Sequence, residues 1–323
     1  MPHARHTPDD VSTTPSRRKF FTQVTAVSAA LSGAPLSLHA SAPAADSGSS
    51  APRQSSYDVK TDASPNHESR IRTLVLHYTA LPFERAKEIL TAPNRKPAVS
   101  AHYLVPEAAG DNDRFTIYEL VPESRLAHHA GRSWWLGERL LNGTSIGIEI
   151  VNLGFPATDN RLPLENRQWY EYPAAQVAVV AELIADIAAR HQIAPNRIVG
   201  HADIAPGRKT DPGPKFPWEA LATQHNLGAW PDADTVKWYE NRAPYADDVG
   251  ALQAKLLAYG YDTPQTGQID QATKNVIESF QMHFCAGHRY DGVPDAQTVA
   301  ILDALLEKYL GWPRPSAPGT GAA

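Results

Sequence analysis

Three side chains of this sequence have the types and settings that a catalytic metal ion needs. His77 lies next to the end of the apolar run 72–78, and His201 directly follows a short apolar run that ends in Gly200. Asp211 comes ten residues after His201, in a segment rich in proline. Two imidazoles and one carboxylate suit zinc and leave its fourth coordination position open, as in catalytic zinc sites. The pattern therefore predicts a catalytic Zn²⁺ site at His77, His201 and Asp211.

Two further residues have the chemistry for proton transfer and charge stabilisation beside such a metal. Glu149 lies in the strand-like run 145–151, on the face opposite its three isoleucines. It is either a solvated carboxylate of an edge strand or a general base. Lys209 lies two residues before Asp211, and it is either an exposed loop lysine or a cation that stabilises an oxyanion. We predict that Glu149 and Lys209 are catalytic residues.

These candidates belong to a segment in which strand-like and helix-like patterns alternate. Residues 72–78 and 145–151 are rich in β-branched residues with a period of two, which is typical of strands. Residues 83–90 and 174–191 have apolar residues at helical spacing. We therefore predict an α/β domain over residues 61–226, with a mixed central β-sheet flanked by helices.

The C-terminal part of the chain has a different pattern, of three short amphipathic helices. Each predicted helix has an aspartate in position to cap its first turn: Asp247 or Asp248, Asp270, and Asp295. The pattern predicts a small all-α domain of three helices over residues 246–311. The proline-containing stretch 227–245 is predicted to be a linker, and residues 312–323 a disordered tail.

The N-terminal 42 residues resemble an export signal. Arg17 and Arg18 stand just before a mild apolar run, 24–38, that is too short and too weak to span a membrane. A disordered basic tail is the alternative. We expect a twin-arginine-type signal over residues 1–42 and a flexible linker over 43–60. This pattern predicts export to the periplasm or the cell envelope.

Composition argues against several classes of partner. The chain has 323 residues and a formal net charge of −5, so neither sign of charge dominates and we expect no nucleic-acid partner. Its one cysteine, Cys285, cannot form an internal disulfide. Stability must therefore come from packing and metal binding, and no obligatory protein partner is inferred.

Five motifs occur in an order that resembles a known family. They are LHYTA at 76–80, SAHY at 100–103, HAG at 129–131, SIGIE at 145–149 and VGHADIAPGRKTDPGP at 199–214. Together they resemble the zinc-dependent N-acetylmuramoyl-L-alanine amidases of type 2, which are relatives of the peptidoglycan recognition proteins. The last motif is the most specific, and the resemblance covers about residues 61–226.

The resemblance implies a mechanism and a substrate. It implies zinc on His77, His201 and Asp211, with Glu149 as the catalytic base and Lys209 assisting at the oxyanion. The implied reaction is hydrolysis of the amide between N-acetylmuramic acid and the L-alanine of the stem peptide. The substrate would be peptidoglycan or its fragments, for wall remodelling or recycling.

The resemblance also places His129 in the substrate cleft, as a substrate-binding residue. The residue before that histidine is usually aromatic in the family, whereas His128 stands here. His102 is predicted to be structural or to support a ligand rather than to bind metal itself.

The three-helix segment is similar to a peptidoglycan-binding domain. A helical bundle without a ligand of its own is the alternative. A tethered wall-binding domain would raise the local concentration of substrate at the catalytic domain.

Two other functions compete with the amidase hypothesis. One is a non-catalytic peptidoglycan-recognition module, and the other is a zinc peptidase that cuts within the stem peptide. Recognition proteins of this fold lose a metal ligand, whereas all three ligands, Glu149 and Lys209 are present here. We therefore favour the amidase.

Overall fold

The computed structural model describes residues 60, 62, 64, 66 and 68–315. The predicted signal at 1–42 lies outside these residues, as do nearly all of the predicted linker at 43–60 and the last part of the predicted tail. None of the described helices is long and apolar enough to cross a membrane.

Strands and helices alternate in the first part of the described chain, and helices alone follow. The strands are β1 (Thr73–Tyr78), β2 (Tyr103–Val105), β3 (Tyr118–Glu119), β4 (Trp134–Trp135), β5 (Glu138–Arg139), β6 (Ser145–Ile150) and β7 (Ile198–Gly200). The α-helices are α1 (Phe83–Thr91), α2 (Ala174–His191), α3 (His201–Ile204), α4 (Trp218–His225), α5 (Ala233–Arg242), α6 (Val249–Tyr259), α7 (Gln271–Phe284) and α8 (Ala296–Leu310).

Five strands form the central sheet, in the order β3-β2-β6-β1-β7. β1 pairs in parallel with β6 and β7, β2 pairs in parallel with β6, and β3 is antiparallel to β2. The predicted mixed sheet is therefore confirmed. The register of β1 and β6 sets His77 directly opposite Glu149. Because neighbouring strands in register share the direction of each side chain, both residues emerge on one face of the sheet.

The opposite face of the sheet packs against α2. Its core consists of the alternate aliphatic residues of β1 and β6 and the apolar stripe of α2: Leu74, Leu76, Ile146, Ile148, Ile150, Val180, Ile184 and Ile187. This burial fixes the register, because a shift by one residue would send the isoleucines to the catalytic face and Glu149 into the core.

The three predicted C-terminal helices are confirmed as α6, α7 and α8, and their caps follow the prediction. The side chains of Asp248, Asp270 and Asp295 each accept a hydrogen bond from a backbone N–H of the first turn. Of the two candidates for the first cap, Asp248 fills the position.

The helical domain shares a core with the catalytic domain. One buried cluster joins Val75 and Trp135 of the sheet region to Tyr261, Phe280 and Leu302 of the helical region. The described residues from Ser64 to 315 accordingly belong to one compact unit.

The stretch 227–245, predicted to be a linker, contains the ten-residue helix α5. This helix packs Tyr239 against Ala300 and Ala304 of α8. The prolines within this stretch suggested a linker, whereas the helix is stabilised by packing against an element that is distant in sequence. The linker prediction therefore missed an ordered element.

Candidate active site and metal centre

The three predicted metal ligands meet at the C-terminal ends of β1 and β7. Asp211 Oδ2 lies 2.9 Å from His77 Nδ1 and 3.1 Å from His201 Nδ1. All three residues are buried, and one potential ligand atom from each lies within 4.8 Å of the others. Among the described residues, this is the group of side chains arranged to hold a metal ion.

The segment that carries Asp211 is brought close to the start of α3 by backbone contacts. Ala202 N donates to Asp211 O at 2.8 Å. A Cβ atom on Gly200 would lie 2.6 Å from Pro212 Cδ, so only glycine permits this approach. His201 and Asp211 therefore converge because Gly200, the last residue of β7, has no side chain.

A chain of hydrogen bonds determines which ring nitrogen of His77 carries the proton. Ser145 Oγ donates to Leu141 O at 2.6 Å, because a carbonyl can only accept. The same Oγ must then accept from His129 Nε2, 3.2 Å away. His129 Nδ1 accepts in turn from His77 Nε2 at 3.0 Å. His77 Nδ1 is left without a proton and faces Asp211.

The second histidine ligand is oriented in a similar way. His201 Nε2 donates to Ala130 O at 3.1 Å, so its Nδ1 also presents a lone pair to Asp211. Arg208 Nη2 donates to the same carbonyl at 2.9 Å. Both metal-facing nitrogens are therefore fixed by partners on the far side of their rings.

The electrostatics of the three ligands favour a bound cation. Burial, together with the nearby His201, lowers the pKa of His77 to about 4, against the opposing effect of Asp211. Burial alone would raise the pKa of Asp211, but the two histidines hold it well below its usual value. The Nδ1 atoms of both histidines and the Asp211 carboxylate thus face one another at 2.9 and 3.1 Å. Such an arrangement fits a divalent cation among them, because the lone pairs would otherwise repel.

Glu149 and Lys209 lie beside the metal ligands. Glu149 Oε2 is buried and has no hydrogen-bond partner within the described residues. Burial and the charge of Asp211 raise the pKa of Glu149 to about 8, while Lys209 acts to lower it. Lys209 also lowers the pKa of His77. The charge of its ammonium therefore affects both His77 and Glu149. The positive charge of a bound metal would also favour the ionised carboxylate, and it would therefore lower the pKa of Glu149 toward about 7.

His129, predicted to bind substrate, is 8% exposed and lies between His77 and Ser145. Its ring occupies the space above Gly147, where a Cβ would come within 2.4 Å of it. In this position His129 supports a metal ligand, and its contact with substrate stays a prediction. His102 is fully buried and its Nδ1 accepts from Gly147 N, so its place is structural in the described fold.

Two residues that the sequence reasoning did not single out help to shape the site. Asn142 Oδ1 accepts from the backbone N–H groups of residues 129–131, at 2.7 to 3.3 Å. Arg208 ties this loop to His201 through Ala130. Arg208 lies inside the motif 199–214, which offered a signal, whereas Asn142 has no pattern of its own.

A cavity of about 540 Å³ lies beside Arg208, between the two domains. Three guanidinium groups line it, from Arg132, Arg139 and Arg208, and Asp262 and Asn275 line its other side. Within the described residues, no carboxylate forms an ion pair with any of the three arginines. The cavity therefore suits a polar ligand that carries negative charge.

Two histidines and an aspartate that could hold a metal ion, with a buried glutamate beside them at the end of a mixed sheet, form the kind of site that metal-dependent hydrolases use. The chain matches the N-acetylmuramoyl-L-alanine amidase family over residues 67–214 and a peptidoglycan binding domain family over residues 245–302. It is 44% identical over 243 residues to the N-acetylmuramoyl-L-alanine amidase AmiD of Escherichia coli, covering 74% of this chain and 84% of that relative.

Solved structures give the same assignment. A complex of AmiD from E. coli with anhydro-N-acetylmuramic acid-L-Ala-D-gamma-Glu-L-Lys matches with a TM-score of 0.68 and 43% identity, covering 77% of this chain and 93% of that chain. AmpDh3 from Pseudomonas aeruginosa matches with a TM-score of 0.68 and 37% identity, covering 80% and 100%. The chain therefore belongs to the N-acetylmuramoyl-L-alanine amidase family and is a hydrolase.

Proposed function

We propose that this protein is a zinc enzyme that hydrolyses the amide between N-acetylmuramic acid and the L-alanine of the stem peptide, in peptidoglycan or its fragments. The observation that carries the proposal is the convergence of two histidine nitrogens on Asp211, beside buried Glu149, whose Oε2 has no hydrogen-bond partner among the described residues. Substrate complexes of two relatives, with anhydro-muramyl peptides, support the substrate class.

His77, His201 and Asp211 would hold the zinc ion. When bound there, zinc provides Lewis acidity that polarises a carbonyl and makes water more acidic. Groups of the chain itself orient both imidazoles, through His129 and through Ala130. This preorganisation reduces the cost of assembling the site.

Glu149 and Lys209 would carry out the proton transfer and charge stabilisation. The Glu149 carboxylate takes a proton from the attacking water and delivers it to the amide nitrogen of the leaving L-alanine. The Lys209 ammonium stabilises the negative charge that develops on the carbonyl oxygen. Burial of Glu149 serves this role, because a raised pKa makes the carboxylate a stronger base than an exposed glutamate.

The cavity between the domains is a place for the rest of the substrate. A stem peptide with a γ-linked glutamate has a free α-carboxylate, and the guanidinium groups of Arg132, Arg139 and Arg208 would pair with such a group. The match to a peptidoglycan binding domain supports binding of wall material by the helical domain.

Product analysis separates the proposal from its rivals. The purified protein is incubated with muropeptides, and the products are identified by mass spectrometry, with a Glu149→Gln variant as the matched control. Free stem peptides that begin with L-alanine support the amidase. Shortened peptides still attached to sugar would show a peptidase, and unchanged muropeptides that remain bound would show a recognition module.

We also propose that the chain is exported, and acts on the wall from the periplasm or the cell envelope. The paired Arg17 and Arg18 before an apolar run support this, although they lie outside the described residues. Fractionation of cells that express the chain with Arg17→Lys and Arg18→Lys tests it. The substituted chain should stay in the cytoplasm, and unchanged export would contradict a twin-arginine route.

A further inference from the structure

Asp203 connects the metal ligand His201 to the helical domain. Its Oδ2 accepts hydrogen bonds from Gly200 N at 2.7 Å and from His283 Nδ1 at 2.8 Å. Its Oδ1 accepts from the Tyr261 hydroxyl at 2.7 Å. One partner thus belongs to the turn that carries the ligand, and the other two belong to the C-terminal domain.

The carboxylate acts on a very short element. Helix α3 contains only four residues, and its first residue is His201. By accepting from Gly200 N, Asp203 caps the helix at its N-terminus and holds the backbone immediately before the ligand. A movement of Asp203 would therefore change the position of the His201 ring directly.

The three side chains are removed from water. Asp203 is 2% exposed, Tyr261 is fully buried and His283 is 4% exposed. Hydrogen bonds to a buried carboxylate are strong, and the loss of one leaves charge without compensation. Burial also raises the pKa of Tyr261 well above its usual value, so its hydroxyl remains a donor at every physiological pH.

Aromatic packing fixes both donors from the helical domain. The His283 ring stacks on Trp218 of α4 at 3.8 Å and on Phe284 at 3.9 Å between ring centroids. The Tyr261 ring meets Trp135 edge-on at 5.0 Å. Trp218 and Trp135 belong to the catalytic domain, so each donor is held by a residue of the domain that it supports.

We propose that Tyr261 and His283 are positioning residues of the metal centre, which act on His201 through Asp203. The C-terminal domain is then a structural part of the metal site, in addition to any affinity that it has for the wall. The inference depends on the proposed function to the extent that it requires a metal at His77, His201 and Asp211. The competing explanation is that these contacts only hold the domains together.

Metal affinity in the full-length protein distinguishes the two explanations. Tyr261→Phe and His283→Leu each remove one donor to Asp203 and keep a side chain that fills the space. His283→Asn is the conservative variant, because its amide nitrogen can take the place of Nδ1. Tyr259→Phe is the matched control, since Tyr259 is equally buried and stacks near Tyr261, while its hydroxyl makes no hydrogen bond within the described residues.

Zinc dissociation constants are measured by competition with a chromogenic chelator, alongside the visible spectrum of the Co²⁺-loaded protein and the Tm of the metal-free protein. We expect Tyr261→Phe and His283→Leu to weaken zinc binding by about 10-fold or more and to alter the Co²⁺ spectrum. His283→Asn should recover most of the affinity, and Tyr259→Phe should match the parent.

The outcomes are separable. If Tyr261→Phe and His283→Leu lower the Tm but keep the parent's zinc affinity and Co²⁺ spectrum, the contacts only join the domains and the inference is wrong. If the parent releases stem peptides from muropeptides and the variants bind zinc equally well, the inference alone fails. A parent protein that binds no zinc overturns the proposed function and this inference together.

Discussion

The two histidine ligands of the metal site are supported by different regions of the molecule. His77 depends on a relay inside the catalytic domain, through His129 and Ser145 to a backbone carbonyl. His201 depends on the loop carbonyl of Ala130 on one side and on a carboxylate held by the helical domain on the other. One ligand is thus supported within its own domain and the other across a domain interface.

This difference indicates how each ligand can be disturbed. The support of His77 passes through the ring itself and sets its tautomer. The support that His201 receives through Asp203 acts on the backbone at the start of α3 and sets the position of the ring. Separate substitutions in the two supports therefore test which contributes more to metal affinity: the tautomer of His77 or the position of the His201 ring.

The largest effect is expected from removal of a ligand. His77→Ala and His201→Ala should each abolish stoichiometric zinc binding and activity, because two remaining ligands bind zinc poorly. Metal content after dialysis, measured by atomic absorption, checks this. Retention of one zinc per chain in either variant would show that the metal site has been assigned to the wrong residues.

Loss of the base should separate chemistry from metal binding. Glu149→Gln is expected to keep one zinc per chain and to lower kcat by about 10²- to 10⁴-fold, because proton transfer is lost while the ligands are intact. Muropeptide turnover and metal content are measured on the same preparation. Near-normal turnover would exclude Glu149 as the base.

The relay behind His77 should have a smaller effect, on affinity. His129→Leu removes the acceptor for His77 Nε2. The tautomer of His77 that leaves Nδ1 without a proton is then no longer selected. We expect zinc to bind about 10- to 100-fold more weakly. His129→Asn, whose amide oxygen can accept from His77, is the control. Equal affinity in the leucine variant would favour a role for His129 in substrate binding alone.

The smallest effect is expected at an ion pair that touches neither support. Burial would raise the pKa of Glu123, but hydrogen bonds from Arg190 and His191, with Tyr103, outweigh it and lower the pKa to about 2. A carboxylate with a lowered pKa stabilises the fold above its unfolded value of about 4.3 and loses that effect as the pH falls toward 2.

Glu123→Gln should therefore lower the free energy of unfolding at pH 7 by about 1 to 2 kcal/mol, since solvent screens this partly exposed group. The difference from the parent should shrink as the pH falls from about 5 to about 3. Urea unfolding of the parent and the variant at pH 7, 5 and 3 measures this difference in free energy. The zinc affinity of the variant should match that of the parent. A difference that grows in acid would contradict the assigned ion pair.

The sequence predicted the parts of the site that carry local signals. The strand pattern placed His77 near the end of the run 72–78 and put Glu149 on the face of the run 145–151 opposite its isoleucines; the parallel register then sets the two residues side by side. The capping aspartates were also readable, because a cap and its helix are adjacent in sequence. Local pattern therefore predicted the strands of the sheet and three side chains that the structure brings together as a candidate metal site.

What the sequence could not predict depends on contacts between distant residues. His283 lies 80 residues from Asp203, and no spacing rule joins them. Helix α5 is stabilised by α8, so its own segment looked like a linker. Family resemblance placed His129 toward the substrate, whereas the structure gives its ring a partner in His77.

The core that runs from Val75 to Leu302 has a consequence for cooperativity. Two domains joined by a tether would melt independently, whereas elements that bury the same apolar surface lose it together. The described chain should therefore unfold in a single calorimetric transition whose van 't Hoff and calorimetric enthalpies agree. In such a protein the metal centre cannot outlast the helical domain on heating, and a cut in the segment 227–245 would destabilise the catalytic domain as well as release the helical domain.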